Sequence, residues 1–243
     1  MNTATASARP IRIALVGMGR MGRALDLLAS ERGCDVVARL DAAEMSSGIH
    51  TGDLKDAQVA IEFSTPETAL GNVEQLLRLG CPVVVGTTGW VAELPRLEAA
   101  VTATSTAALW SPNFSIGVQL FLAIAEDVAK RARAVQGFET HVVETHHSAK
   151  KDAPSGTGIA IVERLEAGLG HPVAISSVRV GSVPGTHEII LDGAFEQISL
   201  SHTARDRRVF ADGALAAARW LAAGRAPAVY TMRDVLGTSS ATS

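Results

Sequence analysis

The chain has 243 residues, 47% of them apolar and 19% charged, with a formal net charge of −3. That is the balance of a globular protein with enough chain for one large domain or two small ones, and it leaves no basic surplus for a nucleic-acid footprint. No run of eighteen apolar residues occurs, so no membrane span is expected. Cys34 and Cys81 form neither a C-x-x-C pair nor a metal-ligand spacing and fit thiols of a reducing, cytoplasmic compartment.

The Ser/Thr/Ala-rich start, Met1 to Pro10, resembles neither a signal peptide nor a span and reads as a tail. Ile11 to Val16 is a short apolar run suited to a buried parallel strand. Gly17-Met18-Gly19-Arg20-Met21-Gly22 follows at once, then a helical pattern on Met21, Ala24, Leu25 and Leu28 that stops at Gly33. Asp35 to Leu40 is the next strand, with Asp41 at its end, nineteen residues past the last glycine. Strand, glycine turn, helix and a distal acid form a dinucleotide site. The first glycine permits the tight turn, the second lets backbone amides approach a pyrophosphate at the helix start, and the third lets helix and strand pack closely. Asp41 repels a 2′-phosphate and favours NADH, whereas Arg39, two residues earlier, can pair with that phosphate; NADH is expected to serve at least as well as NADPH.

The alternation continues. Val59 to Phe63 is a strand. Thr65-Pro66 opens a helix, with threonine as cap and proline in the first turn, and Gly80 ends it. Pro82 to Val85 is a strand leading into Gly86-Thr87-Thr88-Gly89, and Thr106 to Trp110 another leading into Ser111-Pro112-Asn113-Phe114. Ligands of open parallel sheets bind beyond the carboxyl ends of the strands, where all these turns fall.

The period then changes. Ser115 to Ala132 is an amphipathic helix. Phe138 to Thr145, Val178 to Val180, His187 to Leu191 and Gln197 to His202 alternate like strands of a one-sided sheet. Helical spacing returns near Gly213, on Leu215, Ala218, Trp220 and Leu221. The expected fold is therefore α/β: a Rossmann-type parallel-sheet domain over residues 1–114, completed by 213–243, and an α+β domain with an open mixed sheet over 115–212.

The chemistry concentrates between Glu144 and Thr157. His146, His147 and Lys150 fall within five positions at a strand end. Lys150 and Lys151 are half of the four lysines of a chain with eighteen arginines, and lysine, unlike arginine, can change protonation state. Grouped cations repel one another unless an anion joins them. Asp152-Ala153-Pro154-Ser155-Gly156-Thr157 then starts a helix that Ser155 can cap, presenting the amides of Gly156 and Thr157 at its positive end. Together these groups describe a pocket for a carboxylate-bearing substrate. His146, His147 and His141 have no Cys or carboxylate at ligand spacing, so no metal is expected. Ser155 lies outside a G-x-S-x-G elbow, so it is not read as a nucleophile. No Walker A sequence is present.

The segment Glu144-Thr-His-His-Ser-Ala-Lys-Lys-Asp-Ala-Pro-Ser-Gly-Thr157 resembles the signature of the 4-hydroxy-tetrahydrodipicolinate (dihydrodipicolinate) reductase family. Gly86-Thr-Thr-Gly89, Pro112-Asn-Phe-Ser-Ile-Gly117, Arg179-Val-Gly-Ser-Val-Pro-Gly-Thr-His187 and Phe210-Ala-Asp-Gly-Ala-Leu215 also resemble that family, in order, so the likeness runs from about Ile11 to Gly237. It implies reduction of 4-hydroxy-tetrahydrodipicolinate to tetrahydrodipicolinate, with loss of water, by NADH or NADPH, in diaminopimelate and lysine biosynthesis. It also implies a homotetramer whose C-terminal sheets pack together. By resemblance His146 is the acid/base histidine and Lys150 the proton-donor lysine. His147, Gly156 and Thr157 bind substrate. Gly17, Met18, Gly19, Arg20, Met21, Gly22, Asp41, Gly86, Thr87, Thr88, Ser111, Pro112, Asn113 and Phe114 bind cofactor. Two departures stand out: the glycine turn is one residue shorter than the family's usual G-x-x-G-R-M-G, and the stretch between Gly170 and Val178 is short.

Overall fold

A computed structural model describes residues 9–135 and 137–237. The tail reading therefore lies, as far as residue 8, outside the described residues. The chain divides into two compact units, one running to Phe114 and resuming at Phe210, the other spanning Ser115–Val209.

The first unit is a six-stranded parallel sheet. Its strands are β1 (Ile11–Val16), β2 (Cys34–Leu40), β3 (Val59–Glu62), β4 (Val83–Val85), β5 (Ala108–Trp110) and β10 (Val229–Tyr230), in the order β10-β5-β4-β3-β1-β2. Ile13 to Val16 have no exposure at all, as a strand covered on both faces requires. Alternation divides them between two cores. Ile13 and Leu15 pack with α1 (Arg20–Ala29) and α6 (Arg208–Ala222). Ala14 and Val16 pack with α2 (Pro66–Arg78) and α3 (Leu94–Thr104). The chain leaves β1 toward β2 on one side and later builds β3 to β5 on the other, so strand order reverses at β1. That reversal opens a crevice at the carboxyl ends of β1 and β3.

The glycine turn is built into this crevice. Gly17 has φ +89°, and a Cβ there would stand 2.3 Å from the Phe63 carbonyl oxygen and 2.8 Å from the Ser64 nitrogen. A Cβ on Gly22 would lie 2.1 Å from the Gly17 oxygen. Both are packing glycines, pressed between turn, helix and strand.

Local details differ from the sequence reading. Thr65 occupies the N-cap of α2, but its hydroxyl meets Thr68 Oγ1 at 3.2 Å and makes no cap hydrogen bond. β5 begins at Ala108 rather than Thr106, whose hydroxyl donates to the carbonyls of Leu77 and Thr104. Helix α6 begins at Arg208, five residues before Gly213. Two elements have too little pattern to be read: α3 buries only Leu97 and Val101, and β10 is two residues long.

The second unit is a mixed sheet of β6 (Phe138–His146), β7 (Ala174–Arg179), β8 (Thr186–Gly193) and β9 (Gln197–Thr203), ordered β7-β6-β8-β9. β6 and β7 are parallel and linked through helix α5 (Gly156–Leu169); β8 runs antiparallel to both β6 and β9. Helix α4 (Ile116–Ala134) and α5 cover one face, over Val142, Ile189 and Leu191. β7 starts four residues ahead of Val178 because Ala174-Ile-Ser-Ser shows little apolar alternation, and pairing with β6 decides it. Among the described residues no helix is long and apolar enough to cross a membrane.

Gly17→Ala should lower unfolding stability by more than about 2 kcal/mol, since positive φ and a backbone clash combine. Gly19→Ala, where a Cβ meets nothing within 4 Å, should change it by less than about 0.5 kcal/mol. Urea unfolding of both variants checks the pair, and equal midpoints would contradict the close approach at Gly17.

Candidate active site

The candidate cradle for a dinucleotide starts with the turn after β1. Gly17 N donates to the Leu40 carbonyl at 2.7 Å, bringing the turn beside the end of β2, and Met18 N lies 3.5 Å from Asp41 Oδ1. Helix α1 has Gly19 as N-cap, no side-chain cap and no acidic residue in its first turn. Its positive end therefore carries no built-in anion. The space over Gly19 is open, unlike that over Gly17 and Gly22. These residues fit a bound pyrophosphate: bare amides, a positive helix end and a glycine whose missing side chain leaves room. Met18 and Met21 pack on the unit's core, so their backbone is what remains for a ligand; Arg20 is exposed. Arg39 is held by Asp26 of α1, its Nε donating to Oδ2 at 2.9 Å and its Nη2 to Oδ1.

The turns after β4 and β5 lie at the same edge. Thr87 is 8% exposed and its carbonyl accepts from Trp90 Nε1 at 2.7 Å, while Thr88 is exposed. Ser111 spends its hydroxyl on its own turn, donating to the Asn113 carbonyl at 2.7 Å and accepting from Asn113 N at 3.2 Å. Phe114 is buried against the Phe63 ring. Ser111 and Phe114 thus shape the turn from inside, with Pro112 exposed between them.

The second constellation is built on β6. Glu144 and His146 are two residues apart and share the face that also carries Val142, so both are buried, at 0% and 7% exposure. Sheet register sets Arg179 of β7 beside His146 and His187 of β8 beside Glu144. Glu144 Oε1 accepts from Arg179 Nη2 at 2.7 Å and from Ser155 N at 3.2 Å. Its Oε2 lies 2.8 Å from His146 Nδ1, an ion-pair distance off the line of a straight hydrogen bond. The carboxyl is held down to about 2: burial alone would raise it, but the hydrogen bonds from Ser155, Ser177 and Arg179 and the charge on His146 prevail. The His146 imidazole is pushed below its ordinary value, first by burial and then by Lys150 and Arg179. Burial, then His146, brings His187 down to about 4, so that ring is neutral at neutral pH.

Ser155 caps α5 by accepting from Gly158 N at 3.0 Å, and its hydroxyl lies 3.3 Å from His187 Nε2. Gly158 lets the helix start settle over Glu144, where a Cβ would come 3.6 Å from Glu144 Cγ. Gly156 is exposed and Thr157 half-buried at that helix end. Lys150 is anchored by its backbone N–H to the His147 carbonyl at 3.0 Å, and its Nζ donates to both Asp152 oxygens at 2.8 Å. Arg179 Nη2 also reaches the Asp152 carbonyl, so one guanidinium ties β7, β6 and the connection to α5. Lys151 is exposed.

The unit thus brings His146, Lys150, Gly156 and Thr157 to a single strand-to-helix connection. The cluster is not purely cationic, however: Glu144 and Asp152 already offset Arg179 and Lys150. Sequence reasoning gave no role to Glu144, Arg179 or His187. Alternation along β6 could have flagged Glu144, as an acid on an apolar face. Arg179 and His187 become neighbours only through pairing with β7 and β8. Pairing also supplies a carboxylate beside histidines, which the linear spacing lacks: atoms of Glu144, His146 and His187 lie within 4.8 Å of one another. They fit a metal poorly, because Arg179 occupies one carboxylate oxygen and adds a positive charge.

Residues 11–114 match the profile described as dihydrodipicolinate reductase, N-terminus, and residues 117–236 that described as dihydrodipicolinate reductase, C-terminus. The chain belongs to the dihydrodipicolinate reductase family. It is similar to the 4-hydroxy-tetrahydrodipicolinate reductase of Thiobacillus denitrificans, at 34% identity over 93% of this chain and 98% of that one. It is 38% identical to that of Methanoculleus marisnigri over 75% of this chain and 77% of the other. In fold it is similar to the dipicolinate-bound dihydrodipicolinate reductase from Paenisporosarcina sp. TG-14, with a TM-score of 0.71 at 21% identity over 91% of this chain and 97% of that one. A probable dehydrogenase from Thermotoga maritima follows at a TM-score of 0.61 and 11% identity, over 93% of this chain and 92% of that one. As a dihydrodipicolinate reductase the chain is an oxidoreductase that works with NADH or NADPH.

With the folded pKa about 2 against an ordinary 4.5, Glu144 stabilises the fold above pH 4.5, and that contribution is lost as pH falls toward 2. It amounts to roughly 3 kcal/mol. The stability gap between wild type and Glu144→Gln, from urea unfolding at a series of pH values, should therefore narrow steadily below pH 4.5. A gap independent of pH would mean that the carboxylate is not held charged.

Proposed function

We propose that the chain reduces 4-hydroxy-tetrahydrodipicolinate to tetrahydrodipicolinate, with loss of water, in the cytoplasmic diaminopimelate route to lysine. The observation that carries this reading is the connection from β6 to α5, which holds His146, Lys150 and the helix start at Gly156 and Thr157 together. The same substrate is named for relatives that share nearly the whole chain.

The substrate's two carboxylates call for fixed donors. His147, the Gly156 and Thr157 backbone at the α5 start and the Lys150 ammonium supply them. The Lys150–Asp152 pair is solvent-facing on the Asp152 side, 57% exposed. Such a pair is weak, so Lys150 can exchange Asp152 for a substrate carboxylate at little cost. The bound nicotinamide supplies the hydride. Lys150 then delivers the proton to the atom that gains negative charge, and His146 acts beside it as acid/base group. Glu144 holds the Nδ1 side of that imidazole, leaving Nε2 for exchange with substrate. Arg179 fixes Glu144 and the Asp152 carbonyl, keeping the connection in place.

On the first unit, the cofactor's pyrophosphate is proposed over Gly17 to Gly22 and its ribose at Asp41. The remainder runs along Gly86 to Thr88 and Ser111 to Phe114, the last turn acting through its backbone. Because Arg39 is tied to Asp26, Asp41 faces the ribose without a competing guanidinium, which favours NADH. The open face of the four-stranded sheet carries Val143, Val178 and Ile190 among polar residues, and a homotetramer is proposed in which second copies cover it.

In an assay that supplies freshly made substrate and follows nicotinamide oxidation, Lys150→Ala or His146→Ala should lower kcat by about 10²–10⁴ and leave NADH binding unchanged. Lys151→Ala should behave as wild type. No oxidation with this substrate by the intact protein would end the proposal. Separately, Asp26→Ala should release Arg39 and raise the NADPH/NADH ratio of kcat/KM by about tenfold, a gain of about 1.4 kcal/mol. An unchanged ratio would show that Arg39 has no reach to the 2′-phosphate.

A further inference from the structure

Among the described residues two glutamates are buried to zero exposure, Glu62 at the end of β3 and Glu144. Glu144 has a guanidinium and an imidazole beside it. Glu62 has neither, and every group acting on it is neutral. Oε1 accepts from Ser64 N at 2.9 Å and from the Ser64 hydroxyl. Asn72 Nδ2 donates to the Ser64 Oγ at 3.2 Å, and Thr68 Oγ1 lies 3.0 Å from the same atom. The Thr87 hydroxyl is the other neighbour. Glu62 Oε2 and Thr87 Oγ1 are both buried and both without a hydrogen-bond partner.

Leaving two such atoms unsatisfied costs about 1–3 kcal/mol each, and an isolated buried carboxylate costs far more. The Thr87 hydroxyl could join the pair by donating to an ionised Oε2, but a proton on Oε2 both joins the pair and removes the buried charge, because a neutral acid accepts through one oxygen and donates through the other. We infer that Glu62 is a positioning residue of the cofactor site: a neutral acid that accepts from Ser64 after β3 and donates its Oε2–H to Thr87 after β4. Burial raises the Glu62 carboxyl above its ordinary value, outweighing the hydrogen bonds from Ser64, Thr87 and Asn72 that favour the charged form.

The consequence for the site follows from packing. Phe63 and Ser64 are wedged between the two glycine turns. A Cβ on Gly17 would strike the Phe63 oxygen and the Ser64 nitrogen, and a Cβ on Gly86 would lie 2.0 Å from Phe63 Cζ. A few tenths of an ångström at Ser64 therefore moves both turns. By clamping Ser64 and Thr87 together, Glu62 holds the two turns in register for the dinucleotide. This inference rests on the proposed cofactor position along that edge.

Glu62→Gln, Glu62→Leu and Gly19→Val separate the possibilities, with NADH titrated against protein fluorescence and thermal unfolding run in parallel. Glutamine keeps one acceptor and one donor, so Glu62→Gln should bind NADH within about twofold of wild type, while Glu62→Leu loses about tenfold. The stability of Glu62→Gln relative to wild type should rise as pH increases above 4.5, the ordinary carboxyl value, because only wild type then carries an acid that folding keeps protonated. An infrared carboxylic-acid band at neutral pH should be present in wild type and missing from Glu62→Gln, a readout that survives if Glu62→Leu does not fold. Glu62→Leu binding NADH as wild type, Glu62→Gln losing as much as Glu62→Leu, or no acid band would each overturn the inference. Gly19→Val binding NADH normally would remove the cofactor reading and this inference with it. Loss in Gly19→Val with normal binding in Glu62→Leu would remove this inference alone.

Discussion

A carboxylate with no exposure to solvent must be paired, and in the second unit that demand is met at Glu144. Burial works against its charge, yet Arg179, Ser155 and His146 hold it ionised. Removing any one of them would leave charge or polarity uncompensated in the interior. The pairing therefore dictates much around it: β7 must present Arg179 at its end, α5 must begin where the Ser155 amide reaches Oε1, and His146 must turn Nδ1 inward. The placement of His146 and of the α5 start follows from one buried charge.

Glu62 occupies the corresponding place in the first unit and solves the problem the other way. With only hydroxyl, amide and backbone partners, it is cheaper to keep a proton than a charge. Two buried glutamates in one chain thus differ in protonation because one has cations within reach and the other has not. Each sits at the carboxyl end of a strand and joins segments that local sequence leaves independent.

The two sheets differ in what their topology leaves open. The parallel sheet creates a crevice because strand order reverses at β1, and glycines at 17 and 22 allow backbone to pack where side chains cannot fit. Gly19, by contrast, has open space above it, which the proposed pyrophosphate position uses. In the mixed sheet, the parallel β6–α5–β7 crossover brings the positive end of a helix over a strand end, the arrangement a carboxylate ligand needs.

Much of this was legible in the chain. Ile11 to Val16 with its glycine turn, the distal Asp41, and the run from Glu144 to Thr157 are local signals, because strand alternation, helix capping and turn geometry act over a few residues. The short β10, the weakly patterned α3 and the early start of β7 were not legible, since pairing rather than propensity decides them. Nor were the partners of the charged groups. Asp26 on Arg39, Arg179 on Glu144 and His187 beside Ser155 are 13, 35 and 32 residues apart. The sequence by itself determined the family and the two kinds of sheet, and it singled out the candidate site residues. Only the tertiary structure decided which of them are charged, since protonation depends on burial and on neighbours that sheet register brings together from distant parts of the chain.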